Sequence, residues 1–137
     1  DYTTQDFAEE VLAFTSSVGA DVILDVIGGD YLARNLACVK TKGTIIQVGV
    51  MGDGSPAIDL GRLLRGRIRL IGTVLRARPL DEKIAITQQF AREILPLFDR
   101  GSLHPVIDSR YDLDAIADAH RYMESNANVG TILIDVG

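Results

Sequence analysis

The chain has 137 residues, 47% of them hydrophobic, with a formal net charge of −5 and an isoelectric point near 4.9. That is one domain's worth of chain with enough apolar content to bury a core. It leaves no basic surplus to hold nucleic acid, no run near the roughly 18 apolar residues of a membrane span and no opening stretch that reads as a signal peptide, so the expected address is cytoplasmic.

In chain order, Asp6 reads as a helix cap with Glu9 as its capping-box partner, and Phe7, Val11, Leu12 and Phe14 form the apolar stripe of a helix that Gly19 ends. Asp21 to Ile27 is a nearly continuous aliphatic run, the pattern of a parallel strand covered on both faces, and Gly28-Gly29 stops it. A helix from Tyr31 to Val39 follows, with Leu32, Leu36 and Val39 facing inward. Cys38 lies on it; one cysteine makes neither an internal disulfide nor a cysteine-based zinc site, and reads as core filler. Thr44 to Val50 is a second strand with a glycine-rich tail through Gly52, followed by the turn cluster Asp53-Gly54-Ser55-Pro56. Asp59 or a neighbour starts a short helix through Leu63 and Leu64, closed by Gly66. A third strand spans Ile68 to Leu75, where Arg67 and Arg69 mark a sheet edge.

Val22, Ile45 and Ile68 recur at intervals of 23 residues, the rhythm of parallel strands joined by helical crossovers. Two neighbouring strands that end in glycine loops form half of a nucleotide crevice, where a flat ligand lies against bare backbone. Small-residue turns also close strands for purely steric reasons, so spacing alone leaves both readings open.

From Asp81 to about Asp99 the pattern predicts one long helix with Ile84, Phe90, Ile94, Leu95 and Phe98 on one side and a kink at Pro96. After Gly101 the texture changes. Val106 to Tyr111 alternates like a strand with one wet face and points to a different sheet. Asp112 or Asp114 is the expected cap of a helix carrying Ile116, Ala119 and Met123, and Val129 to Val136 is the last strand.

Several segments together resemble the quinone oxidoreductase branch of the medium-chain dehydrogenase/reductase superfamily. They are Asp1-Tyr2 with Asp6-Phe7, Asp21 to Gly29, Lys42-Gly43-Thr44, Gly49 to Gly52, Gly72 to Arg78, and Ala119 to Glu124. Their order and spacing carry the likeness, which covers nearly the whole chain; no one segment does. The resemblance implies an α/β fold: residues 1–101 as the carboxyl-terminal half of a doubly wound Rossmann domain, and residues 102–137 as a strand-helix-strand segment returning to a GroES-like catalytic domain. No GxGxxG or AxxGxxG phosphate loop occurs, so the chain reads as a carboxyl-terminal fragment that is inactive alone.

Residue by residue, Tyr2 is similar to the tyrosine near the adenosine ribose and its 2′-phosphate, which implies NADPH over NADH; an ordinary exposed tyrosine is the alternative. Val26, Ile27 and Gly28 match the loop near the ribose and pyrophosphate. Val48, Gly49, Val50 and Met51 match the loop beside the nicotinamide, and Gly72, Thr73, Val74 and Leu75 the third-strand end on that side. Core packing is the alternative for each. Asn126, Asn128 and Gly130 match a carboxyl-terminal cofactor-side loop, with Thr131 where the family commonly has lysine. His120 reads as a packed or surface residue, and Asp25 as a carboxylate that satisfies local backbone. No catalytic set stands out, and the resemblance implies no metal.

The implied chemistry is hydride transfer from NADPH to a quinone or activated alkene. The implied assembly is a homodimer through the Ile68–Leu75 edge strand. Two other readings stand beside it: an enoyl reductase module of a larger synthase, and a non-catalytic dimerisation module.

Overall fold

The computed structural model describes residues 2–52 and 54–137. Asp1 and Asp53, which belong to the expected amino-terminal match and the expected turn cluster, lie outside them. The chain divides into two compact units, one ending at Arg78 and the other running from Pro79 to Gly137.

The first unit contains α1 (Phe7–Phe14), β1 (Ala20–Asp25), α2 (Tyr31–Cys38), β2 (Val39–Gln47), α3 (Leu60–Gly66) and β3 (Arg69–Gly72). Its three strands lie in the order β1-β2-β3 and both pairings are parallel, with Ile23 beside Ile45 and Ile45 beside Leu70. The 23-residue rhythm is therefore a run of parallel crossovers. Leu32 and Leu36 of α2 close over Val39, Ile45 and Ile68, with Ile23 and Leu63 at the margin. Arg62 fastens α3 to this layer by donating from Nε to the Leu36 carbonyl and from Nη2 to that of Val39, each at 2.9 Å. Those carbonyls close α2, where intrahelical donors run out.

The element ends depart from the sequence pattern for local reasons. Asp6 caps α1 by accepting from the Ala8 amide at 2.8 Å, and Phe7 stacks on Tyr31 with ring centres 5.1 Å apart. The helix stops at Thr15, ahead of Gly19, because Ser16 and Ser17 take left-handed conformations. Phe14, assigned to the stripe, is 93% exposed, since nothing in the first unit covers that end. β1 ends at Asp25 instead of Ile27: the Asp25 carboxylate captures the amides beyond it and draws the chain out of the ladder. Only one face of β1 is covered, and Val22 and Leu24 on the other are exposed, so a continuous apolar run here does not mean two-sided burial. β2 begins at Val39 and stops at Gln47, because the Val48, Met51 and Gly52 amides turn back onto the carbonyls of Asp25 and Ile27.

Asp59 caps α3 as expected, accepting from the Arg62 amide at 2.8 Å. The left-handed closing residue is Arg67, with φ of 50°, and not Gly66. β3 lies at the end of the sheet, as its arginines indicated, but spans only Arg69–Gly72. Thr73, Val74 and Leu75 leave it in a turn that Arg78 holds through the Val74 carbonyl and the Thr73 hydroxyl.

The second unit contains α4 (Leu80–Glu93), α5 (Leu95–Asp99), β4 (Ile107–Asp112), a 3-10 turn (Leu113–Ala115), α6 (Ile116–Glu124) and β5 (Thr131–Asp135). The expected single long helix is two, broken at Ile94, because Pro96 has no N–H to give the ladder. Its apolar side is uncovered: Ile84, Phe90, Leu95 and Phe98 are all exposed. β4 and β5 form a separate parallel pair, as the change of texture indicated. The alternation of β4 is not clean, since a bulge between Ile107 and Ser109 leaves Ile107 outside and turns Ser109 inward. Neither Asp112 nor Asp114 caps through its side chain; the 3-10 turn leads directly into α6.

Candidate functional site

The carboxyl ends of the three strands in the first unit open onto a cleft of about 350 Å³. Gly28 and Gly29 follow β1, Gln47 ends β2 with Val50 just beyond, and Gly72 ends β3; Leu32, Ile58 and Leu70 supply apolar walls. This is where open parallel sheets bind their ligands. A hollow of about 550 Å³ lies beside α2 and residues 57–62, away from the strand ends, and the Arg62 guanidinium that borders it is spent on the Leu36 and Val39 carbonyls.

The cleft floor is a network centred on Asp25, which is 4% exposed. Its Oδ1 accepts from the amides of Ile27 at 2.7 Å and Gly28 at 2.9 Å, and its Oδ2 accepts from Asn35 Nδ2 at 2.8 Å. Asn35 projects from α2 and is equally buried. A buried carboxylate is tolerated where donors surround it, and here they define the turn. Gly28 and Gly29 both sit at positive φ, 67° and 59°, which favours residues without a Cβ.

The second loop is tied to the first through the Asp25 main chain. The Asp25 carbonyl accepts from the Val48 amide at 2.8 Å and from Gln47 Nε2 at 3.2 Å, and Gln47 Nε2 also donates to the Gly49 carbonyl at 2.7 Å. Gly49 approaches β1 so closely that a Cβ there would meet the Val26 carbonyl at 2.9 Å. Cys38, buried at the last position of α2, has its thiol pKa pushed up by burial, so it stays protonated and packs as a small hydrophobe.

Of the expected site residues, Gly28, Val50 and Gly72 line the cleft, and Gly49 supports its floor. Val26 and Ile27 border a separate hollow of about 240 Å³ beside Phe7 and Tyr31. Val48 and Met51 are exposed on the same loop as Val50, Thr73 bonds the Gln47 carbonyl through its amide, and Val74 and Leu75 are exposed in the following turn. Tyr2 is exposed. Asn126 has positive φ, Asn128 Nδ2 donates to the Gly130 carbonyl at 3.0 Å, and Gly130 abuts the Val106 backbone; all three belong to the second unit. There His120 borders an apolar hollow of about 170 Å³ with Ile116, Met123 and Ile134. Gln47 and Asn35 escaped the sequence reading. The available signal was a polar residue set at the end of an apolar strand and on the inward face of an apolar helix.

A family model described as zinc-binding dehydrogenase matches residues 1–134. The chain belongs to that family. Among curated relatives it is 31% identical over 137 residues to 2-haloacrylate reductase of Burkholderia sp., covering 97% of this chain and 40% of the relative. It is 26% identical over 136 residues to the quinone oxidoreductase-like protein 2 homolog of Nematostella vectensis, covering 98% and 37%. A crystal structure of an NAD-dependent alcohol dehydrogenase superposes with a TM-score of 0.79 at 24% identity, over 99% of this chain and 37% of that one. These relatives fit the quinone oxidoreductase branch of the medium-chain dehydrogenase/reductase superfamily, whose members are nicotinamide-dependent, and the parallel sheet agrees with its Rossmann-type fold.

The chain spans about two-fifths of the length of the relatives it matches. The family description names zinc, but among the described residues no three of His, Cys, Asp or Glu come together as a metal site. No helix among the described residues is long and apolar enough to cross a membrane.

Proposed function

We propose that this chain contributes the nicotinamide side of the cofactor site in an NADPH-dependent reductase of quinones or activated alkenes. The observation that carries the proposal is the cleft itself, where three parallel strands end on Gly28-Gly29, Val50 and Gly72. Its volume lies at the lower end of the roughly 300–1,000 Å³ typical of small-molecule sites, which suits one end of a dinucleotide. Relatives named for quinones and for a haloacrylate, both electron-poor acceptors, support the substrate class.

When bound, NADPH supplies the hydride. The chain's own residues orient and shield. Asp25 and Asn35 hold the glycine turn, Gln47 holds the second loop against β1, and Leu32, Ile58 and Leu70 keep water from one wall. Tyr2 is assigned to the adenosine 2′-phosphate, and Asn126, Asn128 and Gly130 to a second cofactor contact. The lack of a phosphate loop in the sequence implies that the 137-residue chain alone binds NADPH poorly. β3, at the sheet end with Ile71 exposed, is assigned to antiparallel pairing with its twofold copy.

The test is performed on the protein that contains this chain. It should consume NADPH faster than NADH when given a quinone or a 2-haloacrylate, and Tyr2→Ala should erode that preference. Absence of any nicotinamide turnover or binding would leave the non-catalytic reading. Turnover confined to acyl-carrier-bound enoyl groups would move the chain to the synthase class. Sedimentation should show a dimer that Ile71→Pro weakens.

A further inference from the structure

We propose that Gln47 is the specificity-determining residue of the cleft, and that it selects an uncharged hydrogen-bond donor, the primary carboxamide N–H₂ of the nicotinamide. This rests on the reading of the cleft as a nicotinamide site and adds the residue and atom that recognise the ring.

The glycine turn between β1 and α2 looks at first like an anion cradle, since a turn of this kind before a helix presents bare amides. Here they are already committed. The Ile27 and Gly28 amides are bonded to the Asp25 carboxylate, and the first-turn amides of Tyr31 and Leu32 are bonded to the Gly28 and Gly29 carbonyls at 3.2 and 3.1 Å. A phosphate entering this turn would find those four donors taken and a buried carboxylate directly behind them, and like charges at such range repel strongly away from bulk water. These four committed donors and the carboxylate behind them favour a neutral group.

What the cleft offers that group is set by Gln47. It is the last residue of the central strand, in register with Asp25 on one side and Gly72 on the other. Its Nε2 donates to two carbonyls, those of Asp25 and Gly49. Turning the amide over would set Oε1 against both of those carbonyl oxygens, so its orientation is fixed by its partners. With Nε2 committed, Oε1 is the acceptor left on a half-buried side chain that lines the cleft together with Leu32, Val50 and Leu70. An acceptor in such surroundings favours a ligand that brings an N–H and penalises one that does not, because an unmet polar group there loses water without gaining a partner.

The experiment compares NADP⁺ with two analogues on the protein that contains this chain. The 3-acetylpyridine analogue replaces the carboxamide N–H₂ with a methyl group, and the thionicotinamide analogue keeps it. By fluorescence or calorimetric titration, wild type should bind the acetylpyridine analogue about three- to tenfold more weakly than NADP⁺, the size of one hydrogen bond, and the thionicotinamide analogue about as well as NADP⁺. Gln47→Met keeps the side-chain length and removes the acceptor. It should weaken both ligands through the lost loop contact and bring their ratio close to one. A purely structural Gln47 would lower both affinities and leave the ratio unchanged, which overturns the proposal. Equal affinity of wild type for NADP⁺ and the acetylpyridine analogue overturns it without any variant. Failure of wild type to bind NADP⁺ at all would instead remove the reading of the cleft, and this inference with it.

Discussion

The two units are made of the same materials, amphipathic helices beside parallel strands, yet they differ in what they bury. In the first, Leu36, Val39 and Ile45 are almost wholly excluded from solvent; in the second, Ala119 is the only buried hydrophobic residue among those described. The difference is one of layering. The first unit has a three-stranded sheet with α2 and α3 closing over one face, whereas the second pairs two short strands under one helix, too few to enclose an interior. Apolar periodicity marks a face that can be buried, and a second surface must arrive before it is.

The largest effect is expected at Ile45. Replacing it with alanine should cost about 2–5 kcal/mol in urea unfolding, since the cavity opens in the middle of the packed layer. The same truncation at Ile84, which is 48% exposed, should fall within about 0.5 kcal/mol, as most surface changes do. Equal losses at both positions would mean that α4 is covered as thoroughly as β2.

A smaller effect is expected at Asp25. Asp25→Ala strands the Ile27 and Gly28 amides and the Asn35 side chain, and the penalty of about 1–3 kcal/mol for an unsatisfied buried group should appear as lost stability together with weaker cofactor binding. The double variant Asp25→Asn with Asn35→Asp re-forms the donor and acceptor pattern with the charge moved to α2. It should recover most of the stability. If Asp25→Ala changes neither melting temperature nor binding, the network does not hold the turn.

The smallest effect belongs to the second unit. The backbone amide of Val129, 2.8 Å from Asp108 Oδ1, is the main reason that this carboxyl lies below its ordinary value of 3.8. A carboxylate with a depressed folded pKa adds stability above its unfolded pKa and loses it as pH falls through the folded one. Wild type should therefore lose slightly more stability than Asp108→Asn on acidification below about pH 4. Parallel melting curves for the two proteins from neutral to acid pH would remove Asp108 from the anchoring of the segment before β5.

How much of this was legible in the residues varies with the range of the interaction. The caps at Asp6 and Asp59, a disturbance of the long helix near Pro96 and the parallel order of the three strands follow from chemistry within a few positions or from a repeating pattern, which a sequence displays directly. So did the local role of the Asp25 carboxylate, whose two backbone partners lie two and three residues on. The glycines at the strand ends marked the cleft for the same reason: the absence of a side chain is visible without coordinates.

Only the tertiary structure decided where β2 stops, because the Val48, Met51 and Gly52 amides return to carbonyls of Asp25 and Ile27 at the end of the neighbouring strand. It alone joined Asn35 to Asp25 and set Gln47 between Asp25 and Gly72, contacts that depend on strand register. It also decided which apolar faces are covered. Val22, Phe14 and Ile84 read like Leu36 or Ile45 in sequence, and burial differs among them because it is a property of the opposing surface, which no residue carries in its own pattern.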